Sequence, residues 1–161
     1  MTASITLDGF DLRILAALQE DGRLGNQDLA DKVRLSPSQC SRRRIRLEES
    51  GLIRGYRAEL DREMLGLDVL VFTKVRLAAH NRDNARRFAE LVRRLPCVLE
   101  AHAMTGDSDY LLKMIVPDLK ALSAVVNEEL LPDDSVAQVQ TSVVLHTLKA
   151  AAPLPLPGRA G

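Results

Sequence analysis

Apolar positions in the first fifty residues recur at helical spacing, whereas beyond residue 68 they alternate as in strands. Leu7, Phe10, Ile14 and Leu18 mark one face of a first helix, with Asp8 as N-cap and Gly22 as its stop. A second, shorter helix starts at Asn26 and turns Leu29, Ala30 and Val33 inward. Arg34-Leu35-Ser36 turns the chain, and Ser36-Pro37-Ser38-Gln39 opens a third helix. Ser36 suits the N-cap, Pro37 the first helical position and Gln39 the reciprocal capping-box position. Gly51 ends that helix, and residues 52–60 read as extended, a wing or a strand leaving the domain.

After a short hinge at 61–68, residues 69–77 (VLVFTKVRL) alternate as a strand. A helix runs through Phe88, Leu91, Val92 and Leu95 until Pro96 stops it. Strands are expected at 97–104, 110–116 and 136–148, with a helix through Leu119, Leu122, Val125, Val126 and Leu130 before the last. The order β-α-β-β-α-β is the ferredoxin-like arrangement. The expected class is therefore α+β: a (winged) helix-turn-helix over 1–60, the hinge 61–68, a ferredoxin-like domain over 69–149 whose strand-rich pattern suggests a sensor, and a Pro/Gly/Ala-rich flexible tail over 150–161.

Composition removes several alternatives. Apolar content of 46% with 27% charged residues is that of a globular protein. Without Trp, and with only 3% aromatic residues, a base-stacking surface for single strands is unexpected. No apolar run reaches the roughly 18 residues of a membrane helix, and MTASITLDGFD has no signal-peptide pattern, so the cytoplasm is the expected compartment. Cys40 and Cys97 lie far apart in apolar segments and read as buried free thiols. His80, His102 and His146 lack ligand-like spacing, so neither a metal nor a cofactor is expected. Glu100, His102 and Met104 point one way along a strand, which makes His102 the histidine nearest to a site.

Net charge is zero, but its distribution is not even. Residues 32–57 hold eight Lys and Arg against two Glu, while residues 8–31 hold six Asp and Glu against two Arg. Basic charge is concentrated on the third helix and the segment after it, where a duplex would lie. The expected DNA-contacting residues are Ser38, Gln39, Arg42, Arg43, Arg46 and Arg54, with Arg57 as a further phosphate contact. Gln39 has two readings, adenine contact or capping box alone. Arg44 falls on the inward Cys40/Leu47 stripe, so either its stem packs while its head reaches solvent, or the helix is rotated.

The segments LDGFDLRILAALQEDGR, LSPSQCSRRRIRLEESGLIRGYRAEL, VLEAHAMTGDSDYLLKMIVPDL and TSVVLHTLK, in this order, resemble the Lrp/AsnC family of transcriptional regulators from about Leu7 to Leu156. The resemblance implies a DNA-binding helix-turn-helix joined to an amino-acid-sensing and oligomerisation domain over 69–149, homodimers with packed sheets, higher assemblies of dimers, and effectors between neighbouring dimers. The chain departs from the family at Arg44, usually apolar, at Ile45, usually polar, and at Gly25, where a Ser commonly caps the second helix, which shifts capping to Asn26. On its residues alone, Gly106-Asp107-Ser108-Asp109-Tyr110 reads as a tight turn between strands. The resemblance makes it part of the effector pocket, with Asp107 or Asp109 for the ammonium, backbone N–H groups freed by Gly106 for the carboxylate, and Met104 and Ser142 as walls. The expected function is a sequence-specific DNA-binding regulator that responds to an amino acid, and not an enzyme. Two alternatives stand beside it: an architectural protein that wraps DNA without an effector, and a tetrapyrrole decarboxylase of the same architecture.

Overall fold

The computed structural model of the chain describes residues 5–150 and 152–157. They fall into two compact units, Met1–Glu59 with Lys149–Gly161, and Leu60–Leu148.

The first unit holds three helices: α1 (Gly9–Glu20), α2 (Asn26–Val33) and α3 (Pro37–Glu49). Asp8 caps α1 through a reciprocal box, its side chain accepting from the Asp11 N–H while the Asp11 side chain accepts from the Asp8 N–H. Gly25, not Asn26, occupies the N-cap of α2 and makes no side-chain bond; Asn26 is already helical. The expectation for Asn26 is thus corrected, because glycine at this position can take the extended cap conformation without a side chain. Arg34 ends α2 in the left-handed region at φ 59°, and the Leu35 N–H donates back to the Ala30 carbonyl at 3.1 Å. Ser36, Pro37 and Gln39 take the three positions expected of them at the head of α3. Beyond Ser50, Gly51 at φ +75° turns the chain, and the Ile53 N–H reaches back to the Leu47 carbonyl.

Ile14, Leu15, Leu18, Leu29, Ala30, Val33, Cys40 and Leu47 form the core of this unit. Residues 52–60 form no strand; with only helices beside them, there is no ladder to join. Part of the expected loose tail is held to this unit. The Leu154 N–H donates to Gln19 Oε1, Gln19 Nε2 donates to the Leu154 carbonyl, and Leu156 packs on the helical core. Residues 151 and 158–161 of that tail lie outside the described residues.

The second unit holds β1 (Val69–Leu77), α4 (Arg82–Arg94), β2 (Val98–Ala103), β3 (Tyr110–Val116), α5 (Leu119–Ala124) and β4 (Val136–Val143). A π-helical stretch, Val125–Leu130, extends α5, and the Leu131 N–H bonds to the Val126 carbonyl. The sheet is antiparallel with the order β2-β3-β1-β4, which is the ferredoxin-like arrangement expected. Val71, Thr73, Val75 and Leu77 of β1 face the helices and are buried with Phe88, Leu91, Leu112, Met114 and Leu130. The expected 136–148 strand ends at Val143, since its partner β1 begins at Val69 and the Val144 N–H already bonds to the Leu70 carbonyl. The stretch 61–68 closes on itself as a turn: Asp61 Oδ1 accepts from two N–H groups, and Arg62 Nη1 donates to the Asp68 carbonyl.

Candidate nucleic-acid interface and effector site

Burial of Cys40 and Leu47 defines the inner side of α3, and helical spacing sets Ser38, Gln39, Arg42, Ile45 and Arg46 outside. Ile45 is 48% exposed in the middle of this outer stripe. Arg42 is exposed and has no ion pair or side-chain hydrogen bond among the described residues. Gln39 closes the capping box through Oε1, which accepts from the Ser36 N–H; its amide nitrogen is the group left to point outward. Arg54 and Arg57 are exposed on the segment after α3.

Arg43 differs from this group. Its Nη1 lies 2.8 Å from both Asp8 Oδ2 and Asp11 Oδ1, and its side chain is only 23% exposed. The same contacts, with Asp11 and then Asp8, raise its pKa further. Sequence reasoning placed Arg43 with the free DNA donors; the fold gives it two carboxylate partners on and before α1. Arg46 Nη2 also bonds Asp11, at Oδ2. Arg44 resolves toward the packed alternative, but its head stays within the unit. Its Nη1 donates to the Leu24 carbonyl at 2.9 Å, its Nε bonds Glu48 and the Tyr56 hydroxyl, and its guanidinium lies over the Tyr56 ring. Burial raises the Tyr56 pKa, helped by its bond to Glu48.

In the second unit, Gly106 adopts φ +110° in the loop between β2 and β3. Asp109 is deeply engaged: its N–H donates to the Val75 carbonyl, its carbonyl accepts from the Met104 N–H, and its Oδ2 accepts from the Leu77 N–H at 2.8 Å. Its Oδ1 lies 3.2 Å from His80 Nδ1. A cavity of about 370 Å³ opens here, lined by His80, Asn81, Arg82 and Tyr110 among others. Asp107 lines a different cavity, of about 130 Å³, with Lys74, Arg76 and Gln138, and its carbonyl accepts from Arg76 Nη2. The two aspartates expected as alternatives for the ammonium of one ligand therefore border separate spaces. Met104 is exposed just past β2, within reach of the loop. Ser142 is not brought to that loop: it pairs with Phe72, four residues along β4 from the Gln138–Arg76 pair, or roughly 13 Å away at strand rise.

His102 lies on the sheet face opposite the helices, 3.2 Å from Glu100, whose pKa is lowered first by Lys113 and then by His102. No cluster of metal-ligating groups occurs among the described residues, and no helix of the described residues is long and apolar enough to cross a membrane. Sequence reasoning missed Asp11, Tyr56, His80 and Asn81. For Asp11 a signal existed, since Asp8-x-x-Asp11 has capping-box spacing; for the others only tertiary proximity reveals them.

Two family models match the chain: a winged helix-turn-helix DNA-binding model over residues 7–54 and the Lrp/AsnC ligand binding domain over residues 70–154. The leucine-responsive regulatory protein of Rhizobium meliloti is 38% identical, covering 94% of this chain and 97% of its own. The Bkd operon transcriptional regulator of Pseudomonas aeruginosa is 42% identical, covering 92% and 98%. A transcriptional regulator of Neisseria meningitidis, solved in complex with L-Met, superposes with a TM-score of 0.91 at 41% identity, covering 94% and 98%.

Proposed function

The chain belongs to the Lrp/AsnC family of DNA-binding transcriptional regulators, and on that premise we propose that α3 reads the major groove under control of an amino acid bound by the second unit. The observation that carries this is the outer stripe of α3, where hydrogen-bond donors and one apolar side chain stand at helical spacing. Arg42 suits guanine O6 and N7, a pair worth roughly 1–3 kcal/mol of discrimination. Ile45 suits a thymine methyl, and Gln39 offers its amide to a base edge. Ser38, Arg54 and Arg57 contact phosphate, and Arg46 adds a partly neutralised charge beside them.

The effector is an α-amino acid held near the Gly106–Asp109 loop. Asp107 is the better candidate for its ammonium, because the Asp109 carboxylate already serves Leu77 and His80. The L-Met complex of the Neisseria relative makes amino acids the ligand class to screen first. Homodimers form through the sheet face opposite the helices, on which Phe72 is 39% exposed, and dimers associate further. Residues 1–60 act as the reading domain, 61–68 as the connection and 69–149 as the sensing domain, all in the cytoplasm. An effector of this kind must bind one state better than the other, by roughly 1–3 kcal/mol in ordinary cases.

The test is a footprint on DNA upstream of the protein's own and neighbouring genes, with and without each common amino acid. A protected site of two half-sites about 34–36 Å apart or a multiple of that, altered by one amino acid, is expected. Protection indifferent to every amino acid would remove the effector and favour architectural wrapping. No protection at all would remove the DNA-reading role of α3.

A further inference from the structure

Asp11 is a buried carboxylate on α1, yet it holds two arginines of α3, the helix proposed to read DNA. It is 1% exposed. One oxygen takes Arg43 Nη1 at 2.8 Å; the other takes Arg46 Nη2 at 2.5 Å and the Asp8 N–H at 3.0 Å. Arg43 and Arg46 are three residues apart on α3, hence on adjacent turns of one face. A second carboxylate, Asp8, lies against Arg43 at 2.8 Å. Two carboxylates and two guanidinium groups thus form a closed set within this unit.

We infer that Asp11 is a positioning residue for sequence readout, dividing the arginines of α3 into one that is silent and one that is held in place. This deepens the proposed reading of α3 and rests on it. With two carboxylate partners and little exposure, Arg43 has no strong reason to leave for a phosphate. Arg46 is 47% exposed, and a guanidinium has five N–H donors, of which Asp11 takes one. Its remaining donors belong to a side chain that is nearly half exposed and already clamped at one nitrogen. The loss of rotamer freedom is therefore met on folding, before DNA arrives. Arg44 is likewise tied, to Leu24, Glu48 and Tyr56, so Arg42 alone of the row is unpaired among the described residues. The physical consequence is a restrained basic surface. Freed arginines would settle on any phosphate, raising affinity for all sequences, whereas restrained ones favour the duplex that presents its acceptors where the donors already are.

Asp11→Asn keeps the shape and one acceptor for the Asp8 N–H but removes the charge. Anisotropy titrations over a range of salt compare the footprinted site with a scrambled duplex, for full-length wild type and variant, with melting and circular dichroism as checks of folding. Expected is a drop in the ratio of specific to non-specific affinity of about tenfold, the scale of losing one good base contact. The salt slope on scrambled DNA should steepen by about one, as one further phosphate is engaged. A purely structural role would lower the active fraction for both duplexes alike and leave ratio and slope unchanged; that outcome overturns the inference. Should Asp11→Asn not fold, Asp8→Asn decides: asparagine caps as well as aspartate, and removing one of the two Arg43 carboxylates should steepen the slope and lower the ratio by a few-fold. A folded Asp8→Asn with wild-type ratio and slope would then overturn the inference. If wild type itself fails to distinguish the two duplexes, the reading of α3 falls, not only the role of Asp11.

Discussion

At the head of α1 the Asp8 carboxyl is held below its usual range, first by the Asp11 N–H and then by the Arg43 guanidinium, against a desolvation that works the other way. A carboxylate whose folded pKa is depressed stabilises the fold above its unfolded value of about 4 and loses that contribution as pH falls through the folded one. Urea midpoints measured from pH 5 downward should therefore fall less steeply for Asp8→Asn than for wild type below about pH 4. Neighbouring arginines should separate in the same assay. Arg43→Ala leaves buried Asp11 with one guanidinium instead of two, and should cost about 1–3 kcal/mol of stability. Arg42→Ala removes a side chain with no partner among the described residues, and should change stability by about 0.5 kcal/mol or less while weakening binding to a natural site. Equal stability losses for the two would contradict the partition of the arginine row. That partition was not legible in the chain, where Arg42, Arg43, Arg44 and Arg46 look alike; Asp11 and Leu24, which hold three of them, lie 20 to 35 residues away.

Among the elements, those with local signals at both ends are the ones that a reading of the chain delimits best. α3 begins at Pro37 because Ser36 and Gln39 satisfy each other's backbone N–H groups. Ser36→Ala removes one of these bonds and should lower stability by about 1 kcal/mol, with chemical denaturation as the measure; a change near zero would show the helix start to be held by packing alone. β1 and β3 match their expected spans because both are interior strands, paired on each side. β4 does not, because an edge strand ends where its one neighbour ends, and the apolar run to Leu148 carries no mark of that. The extended reading of 52–60 failed as a strand for a related reason: extension is local, pairing is not. The π-helical stretch after α5 has no sequence signal that we recognise.

For the molecule as a whole, the sheet has one face covered by α4 and α5 and another on which Phe72, Lys74, Lys113 and His102 stand. If homodimers form through that second face, Phe72→Glu should convert a dimer to a monomer in light scattering without unfolding the sheet, since Phe72 is not part of the helix-side core. A dimer that survives the change would relocate the interface. Periodicity, capping residues and turn glycines were enough to lay out three helices followed by β-α-β-β-α-β, because each is a property of residues within a few positions of one another. The outward donors at Ser38, Gln39 and Arg42 were legible for the same reason, being one helix's spacing. Tertiary structure alone decided that Arg43 and Arg44 turn to carboxylates and carbonyls of the same unit, that Asp107 and Asp109 border different cavities, and that Ser142 lies apart from their loop. Charge pairing and strand register join residues remote along the chain, and an isolated residue type does not say which partner it will meet.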